Sequence, residues 1–282
     1  VLQSLSKGML FRCLIALIAV SGCAAYCQQF SAAQALKQAV DGTPAIAVVL
    51  DVKRGRTLAV ERTDEASALR STPGSTLKPF FLAYALEHGL VQPQAAVYCR
   101  RTLRIAGRNV DCTHPQSETV FNAELALAYS CNSYFVELAK RFSPDNANEV
   151  LREYGINNGV PEQVPLFVLG LEGVAVAPDT LARAYGKLAS HWTGLPDAVR
   201  RGLEESVQFG MAHNAYVAGL HIAGKTGTSS DPGQPWTHGW FAGIAPADHP
   251  KIAVVLYIPH GNGADAARIA QRFFAGYKDA LR

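Results

Sequence analysis

Apolar runs with β character stand at both ends of this chain, with a long helical stretch between them. Ala45 to Leu50 and Thr57 to Val60 are short strand-like runs joined by Lys53-Arg54-Gly55, a hairpin signature. Three more such runs, Gly219 to Thr228, Gly239 to Ala245 and Ile252 to Ile258, come only after residue 211. Between them the pattern predicts helices from Ser75 to His88, ending at Gly89, and from Ala123 to Phe142 with an interruption near Ser130. Further helices are predicted from Asn146 to Tyr154, from Pro178 to Ser190 and from Pro196 to Met211. A last helix carries Ala266, Ile269, Ala270, Phe273 and Tyr277 on one face, with Asn262 or Asp265 able to cap its start. Strands at opposite ends of a chain must pair with each other. The expected fold is therefore α/β in the α+β sense: an antiparallel sheet over about 44–70 and 212–282, flanked by terminal helices, with an all-helical lobe inserted over about 75–211.

A chain of 282 residues, 49% hydrophobic and 17% charged, can bury a large core. Its net charge of +3 is spread out, with no basic stripe interleaved with aromatics, so a nucleic acid partner is not expected. Residues 1–25 read as a targeting segment: Lys7 and Arg12 precede the apolar run Cys13 to Val20, which is too short to span a bilayer comfortably. Val20-Ser21-Gly22-Cys23 resembles a lipoprotein box, in which Cys23 would be lipidated and attach the chain to a membrane; the alternatives are ordinary cleavage near Ala25, with Cys23 discarded, and an uncleaved short anchor. In each case residues 26–282, the folded body, are expected outside the cytoplasm, in the periplasm or on the outer face of the membrane.

In such a compartment Cys99 and Cys112 could close a hairpin by a disulfide, because Gly107-Arg108-Asn109 between them is turn-forming. A zinc reading with Cys99, Cys112 and His114 lacks a fourth ligand, so it ranks below a disulfide or two free thiols, and no metal or cofactor is expected. Cys131 reads as a small packed residue. His88, His191, His213, His221, His249 and His260 are scattered and read as solvated or capping residues.

Three clusters carry the chemistry: Ser75-Thr76-Leu77-Lys78, Ser130-Cys131-Asn132 and Lys225-Thr226-Gly227-Thr228. A serine hydroxyl is a poor nucleophile until a neighbouring base takes its proton, and here the bases supplied are lysines. Pro73-Gly74 forces a turn, after which Ser75 and Lys78 fall on one helix face with Pro79 still in the first turn. The pKa of Lys78 must fall for it to act as base; burial and the nearby cation Lys225 can achieve that. Ser130 and Asn132 sit at a helix break, where they can project into a cleft or simply cap. Gly227, without a side chain, lets a ligand backbone lie along the Lys225 strand.

In this order the clusters resemble the active-site set of penicillin-binding transpeptidases and serine β-lactamases. Pro73-Gly74-Ser75-Thr76-Leu77-Lys78-Pro79 is similar to the nucleophile segment of high-molecular-weight penicillin-binding proteins, and Ala126 to Ala139 and His238 to Gly243 resemble further parts of the same domain. The resemblance implies that Ser75 is acylated, that Lys78 is its general base, and that Ser130, supported by Lys225, passes a proton to the leaving amine. Asn132 would bind the acyl-side amide, Thr226 and Thr228 the substrate carboxylate, and the backbone N–H groups of Ser75 and Thr228 would form the oxyanion hole. The implied partners are D-alanyl-D-alanine stem peptides and β-lactam antibiotics, and the implied activity is D,D-transpeptidase or carboxypeptidase. A class D-like serine β-lactamase and a β-lactam sensor without turnover are the alternatives. Pro79 and Asn132 look more like the transpeptidases, and Glu162 and Glu172 do not sit in a deacylating pattern. The family's pedestal or glycosyltransferase module is not expected, since little sequence separates the targeting segment from the first strand, and His114-Pro115 stands where His-Gly is frequent.

Overall fold

The computed structural model describes residues 31–282. The expected targeting segment and the lipidation of Cys23 lie outside the described residues. The first helix, α1 (Ala32–Val40), opens with a capping box in which the Ser31 side chain accepts from the Gln34 N–H and the Gln34 side chain accepts from the Ser31 N–H. It leads into the hairpin of β1 (Ile46–Asp51) and β2 (Arg56–Glu61), followed by the short α2 (Thr63–Ala68).

The strands β7 (Ala223–Ser229), β8 (His238–Ala245) and β9 (Ile252–Ile258) return from the far end of the chain. They complete a five-stranded sheet in the order β2-β1-β9-β8-β7, antiparallel throughout. The pairing of β1 with β9, Ile46 opposite Tyr257, is the union of the two chain ends expected from the pattern. Every residue of β1 is buried because both faces of the sheet are covered. Ile46, Val48 and Leu50 join one core, while Ala47 and Val49 join the other. Neighbouring Trp240 and Phe241 on β8 are likewise fully buried and divide between the two.

One cover is made by α1 and the terminal helix α10 (Gly263–Leu281), whose N-cap Asn262 and Asp265 form a second capping box. Ala266, Ile269, Ala270 and Phe273 turn inward as the spacing predicts, and Tyr277 packs half-buried beside them. The other cover comes from the helical insertion: α8 (Pro178–Ser190) lies along β1 and β9, and α9 (Asp197–Gln208) against β7. The rest of the insertion comprises α3 (Lys78–Glu87), α4 (Ala123–Ala128), α5 (Asn132–Ala139), α6 (Pro144–Glu153) and α7 (Val164–Val168). Between α3 and α4 the chain makes two small ribbons, β3 (Val97–Tyr98) with β6 (Val120–Phe121) and β4 (Thr102–Ile105) with β5 (Arg108–Asp111). The second has Ala106-Gly107 at its tip, so of the stretch Gly107-Arg108-Asn109 read as a turn only Gly107 turns, and Arg108 and Asn109 already lie on β5.

Candidate active site

Ser75 does not start an α-helix. It lies in a 3₁₀ turn, Gly74–Leu77, and α3 begins only at Lys78, with Pro79 near its start. Lys78 closes that turn as its C-cap, donating its backbone N–H to Ser75 O. Glycine at 74 has φ +56°, a left-handed conformation that side chains resist, and its N–H donates to Gly170 O at 2.9 Å. Tyr185 of α8, fully buried, donates its hydroxyl to Thr76 O at 2.8 Å and so holds the turn from beneath. Ser75 itself is partly exposed.

The break between α4 and α5 falls at Ser130, as the sequence predicts, and it is strained: Ser130 has φ +57°. Capping does not explain its polar residues, because Cys131 is the N-cap of α5 and makes no side-chain cap bond. Their side chains go to Lys78 instead. Its Nζ is 2.8 Å from Ser130 O, 3.1 Å from Ser130 Oγ and 2.7 Å from Asn132 Oδ1. Asn132 Nδ2 in turn donates to Asp111 O at 2.7 Å, tying the corner to β5. Ser75 Oγ takes no part in these bonds; Lys78, expected to reach the hydroxyl three residues back, reaches across to the second cluster.

Lys78 is fully buried, and burial pulls its pKa down to about 8 against the opposing pull of Cys131 and then Cys112. The Phe135 ring, 4.9 Å from Nζ, favours the cation and tempers the effect of burial. Lys225 on β7 is also fully buried, with one hydrogen bond, to Thr226 O at 3.2 Å. Burial and then the charge of Lys78 hold Lys225 well below the ordinary lysine range. Burial therefore favours the neutral amine at both lysines, and at Lys225 the neighbouring charge of Lys78 adds to it.

Strand β7 is the sheet edge facing the turn of Ser75. A methyl group at Gly74 would lie 3.0 Å from Thr228 O and 3.1 Å from Thr228 N, and one at Gly227 would lie 2.3 Å from Pro73 O. Thus the backbones of the first and third clusters touch. The two threonines differ. Thr226 is buried, its hydroxyl 3.4 Å from Met211 O, whereas Thr228 is exposed and its Oγ1 accepts from Gly263 N–H at 2.9 Å.

Sequence reasoning missed the polar network behind the turn. His238 Nε2 lies 2.8 Å from Thr72 O, 3.0 Å from Ser229 Oγ and 3.1 Å from Ser71 Oγ. Asp231 accepts from Thr72 N–H at 2.9 Å and Ser71 Oγ at 2.8 Å, and Trp240 Nε1 also donates to Thr72 O at 3.0 Å. These partners stand about 160 residues apart in sequence, which no local pattern reports. The six scattered histidines are exposed, as are Glu162 and Glu172.

Cys99 and Cys112, expected as a disulfide or two thiols, are free thiols. Cys131 is more than a packed residue: its sulfur lies within 4.8 Å of Cys99 Sγ, Cys112 Sγ and a ring nitrogen of His114, all four residues being buried. Cys131 thus adds a fourth potential ligand atom to the three that the sequence spacing offered.

The three clusters bring a partly exposed serine and two buried amines, Lys78 and Lys225, to one end of the sheet. The family is defined by sequence as well as by shape. The chain belongs to the penicillin binding protein transpeptidase domain family, which it matches over residues 45–193 and 196–276. Peptidoglycan D,D-transpeptidase MrdA of Acinetobacter baumannii is 22% identical over 72% of this chain and 41% of its own length. Peptidoglycan D,D-transpeptidase PbpA of Mycolicibacterium smegmatis is 25% identical over 67% of this chain and 50% of its own. The chain thus spans about half the length of the curated relatives it matches. Among solved structures, the D,D-transpeptidase domain of a peptidoglycan glycosyltransferase from Eggerthella lenta superposes with a TM-score of 0.74 at 20% identity, covering 88% of this chain and 81% of that one. A peptidoglycan glycosyltransferase from Burkholderia ambifaria gives 0.74 at 22% identity, covering 90% and 94%. The expected antiparallel sheet with flanking helices is the fold they share.

Proposed function

We propose that the chain is a serine-type D,D-transpeptidase or carboxypeptidase, acting on D-alanyl-D-alanine ends of peptidoglycan stem peptides through an acyl-enzyme on Ser75, and that β-lactams trap it. The observation that carries this reading is the bridge from Lys78 to both Ser130 and Asn132, which draws the first two clusters into one site. Lys78 takes the Ser75 proton as Ser75 Oγ attacks the penultimate carbonyl; Ser130, backed by Lys225, protonates the departing D-alanine nitrogen. The N–H groups of Ser75 and Thr228 receive the oxyanion, each such donor being worth roughly 3 to 4 kcal/mol of barrier. Asn132 holds the acyl-side amide, and the substrate extends along the free edge of β7. Exposed Thr228 is the first grip for the terminal carboxylate; the hydroxyl of Thr226 must rotate away from Met211 to add a second.

Stem peptides lie outside the cytoplasm, so an exported domain fits the reading, with Cys23 a point of lipid attachment. No helix among the described residues is long and apolar enough to cross a membrane. Purified protein incubated with a fluorescent penicillin is expected to label stably and to release D-alanine from a D-alanyl-D-alanine peptide. Sustained colour from a chromogenic cephalosporin would make the chain a β-lactamase, stable labelling without peptide turnover a sensor, and no labelling would end the proposal.

The pH dependence follows from Lys78. Burial disfavours its cation, so its folded pKa lies below the unfolded value, and the free amine that can act as base accumulates above pH 8. The rate of penicillin acylation is expected to rise about ten-fold between pH 7 and pH 9. A stopped-flow profile flat across that interval would assign the base elsewhere.

A further inference from the structure

We propose that Cys99, Cys112, His114 and Cys131 form a tetrahedral Cys₃His zinc site that locks the Ser130–Asn132 corner. The metal site stands on geometry alone; its effect on catalysis rests on the acyl-transfer reading above. All four ligand atoms lie within 4.8 Å of one another, and Cys99 Sγ is 3.3 Å from His114 Nε2. Zinc–sulfur bonds of about 2.3 Å at tetrahedral angles put ligand atoms about 3.7 Å apart, so closure needs only small shifts. Binding releases the three thiol protons to solvent and leaves three thiolates and a neutral imidazole on the ion.

The surroundings are those of a thiolate site. Asn132 N–H donates to Cys112 Sγ at 3.1 Å and Arg101 N–H to Cys99 Sγ at 3.3 Å, bonds that stabilise negative sulfur. With the metal on Nε2, His114 carries its proton on Nδ1, which lies 3.1 Å from Pro115 O, and Arg101 Nη1, which now stands 2.9 Å from Nδ1 and can only donate, must swing off that nitrogen onto the carbonyls beside it. The Arg101 guanidinium, donating to His114 O at 2.8 Å and Pro115 O at 3.1 Å, offsets the net negative charge of three thiolates and one divalent ion.

The local fold supplies a reason for such a cross-link. From Val97 to Phe121 the only buried residues are Cys99, Val110, Cys112, His114 and Phe121, so three of the five are ligands. Ribbons this small are marginal without a staple. Cys131 then carries the link from this excursion into the helical insertion, between the two residues that Lys78 contacts. The left-handed Ser130 is thereby held from its C-terminal side.

The test begins with protein purified without chelator under mild reduction. Elemental analysis is expected to give one zinc per chain, and cobalt exchange is expected to give thiolate-to-cobalt charge-transfer and tetrahedral d–d absorption bands. Cys99→Ser and Cys112→Ser should each bind zinc at least about 100-fold more weakly and dim the charge-transfer band. Stripping zinc from the wild type should lower its Tm and slow penicillin labelling at least about ten-fold, both restored by zinc. Metal-free protein with a disulfide among these cysteines, or zinc retained equally by Cys112→Ser, overturns the site. A normal cobalt spectrum in protein that never labels with penicillin preserves the metal site while removing the acyl-transfer reading. Labelling unchanged by zinc removal overturns the coupling.

Discussion

Ser75→Ala is expected to abolish covalent labelling by penicillin and leave the melting temperature near that of the wild type. The two outcomes separate because the Ser75 side chain makes no hydrogen bond among the described residues and is partly exposed, so its loss removes the nucleophile and little else. Lys78→Ala is the informative companion. Removing a general base typically costs 10²- to 10⁴-fold in rate, so labelling is expected to fall by about 10³-fold. Here stability must fall too, because the Ser130 carbonyl and Asn132 Oδ1 lose their partner in a part-buried site, at about 1 kcal/mol for each group, the low end of the range for buried groups left unpaired. Intact-mass spectrometry after penicillin exposure, with calorimetry alongside, reads both. An adduct on Ser75→Ala would refute the assignment of the nucleophile, and a Lys78→Ala protein that labels at wild-type rate would pass the role of base to Lys225.

The same two residues show how far sequence reading reaches. Their three-residue spacing was legible because it is local, and so were the strand runs, the break at Ser130 and the cap at Asn262. The 3₁₀ form of the Ser75 turn was not, because it is imposed from outside: Gly170, Thr228 and Tyr185 press on it from segments about 100 to 150 residues away. Helix α1 did leave a signal in Ser31 and Gln34, the capping box, which was overlooked beside the targeting segment. Cys131 was hidden by a stronger reading: inside Ser130-Cys131-Asn132 it looks like a spacer between two functional residues. The cysteines and histidine have none of the paired spacings of common zinc motifs, and only the folding of two ribbons onto the start of α5 reveals the fourth ligand. The buried network of Asp231 and His238 was illegible for a related reason, since it joins loop and strand residues to Ser71 and Thr72 across the whole helical insertion.

Gly227→Ala is expected to disable the site without touching a catalytic side chain. Its φ raises no objection to alanine, so the entire effect comes from contact: a Cβ there would sit 2.3 Å from Pro73 O and 3.0 Å from Thr76 Cγ2. The first partner is a carbonyl on the rigid turn that carries Ser75, anchored by Gly170 and Tyr185, so it yields little. Strand β7 must move instead, by roughly 1 Å to restore ordinary contact, and it takes Lys225 and the Thr228 N–H away from Ser75 together. A displacement of that size can cost about 10²-fold in rate, and the loss of one oxyanion donor costs about 10²- to 10³-fold. Labelling is therefore expected to slow by about 10²-fold or more. The accompanying loss of stability is about 1 to 3 kcal/mol, the usual range for an overpacked contact. Gly194→Ala is the control, since nothing lies within 4 Å of a Cβ built there; it should label and melt like the wild type. If Gly227→Ala also labels at the wild-type rate, the edge of β7 is not the wall against which the acyl group is transferred, and the oxyanion donor assigned to Thr228 must be sought on another element.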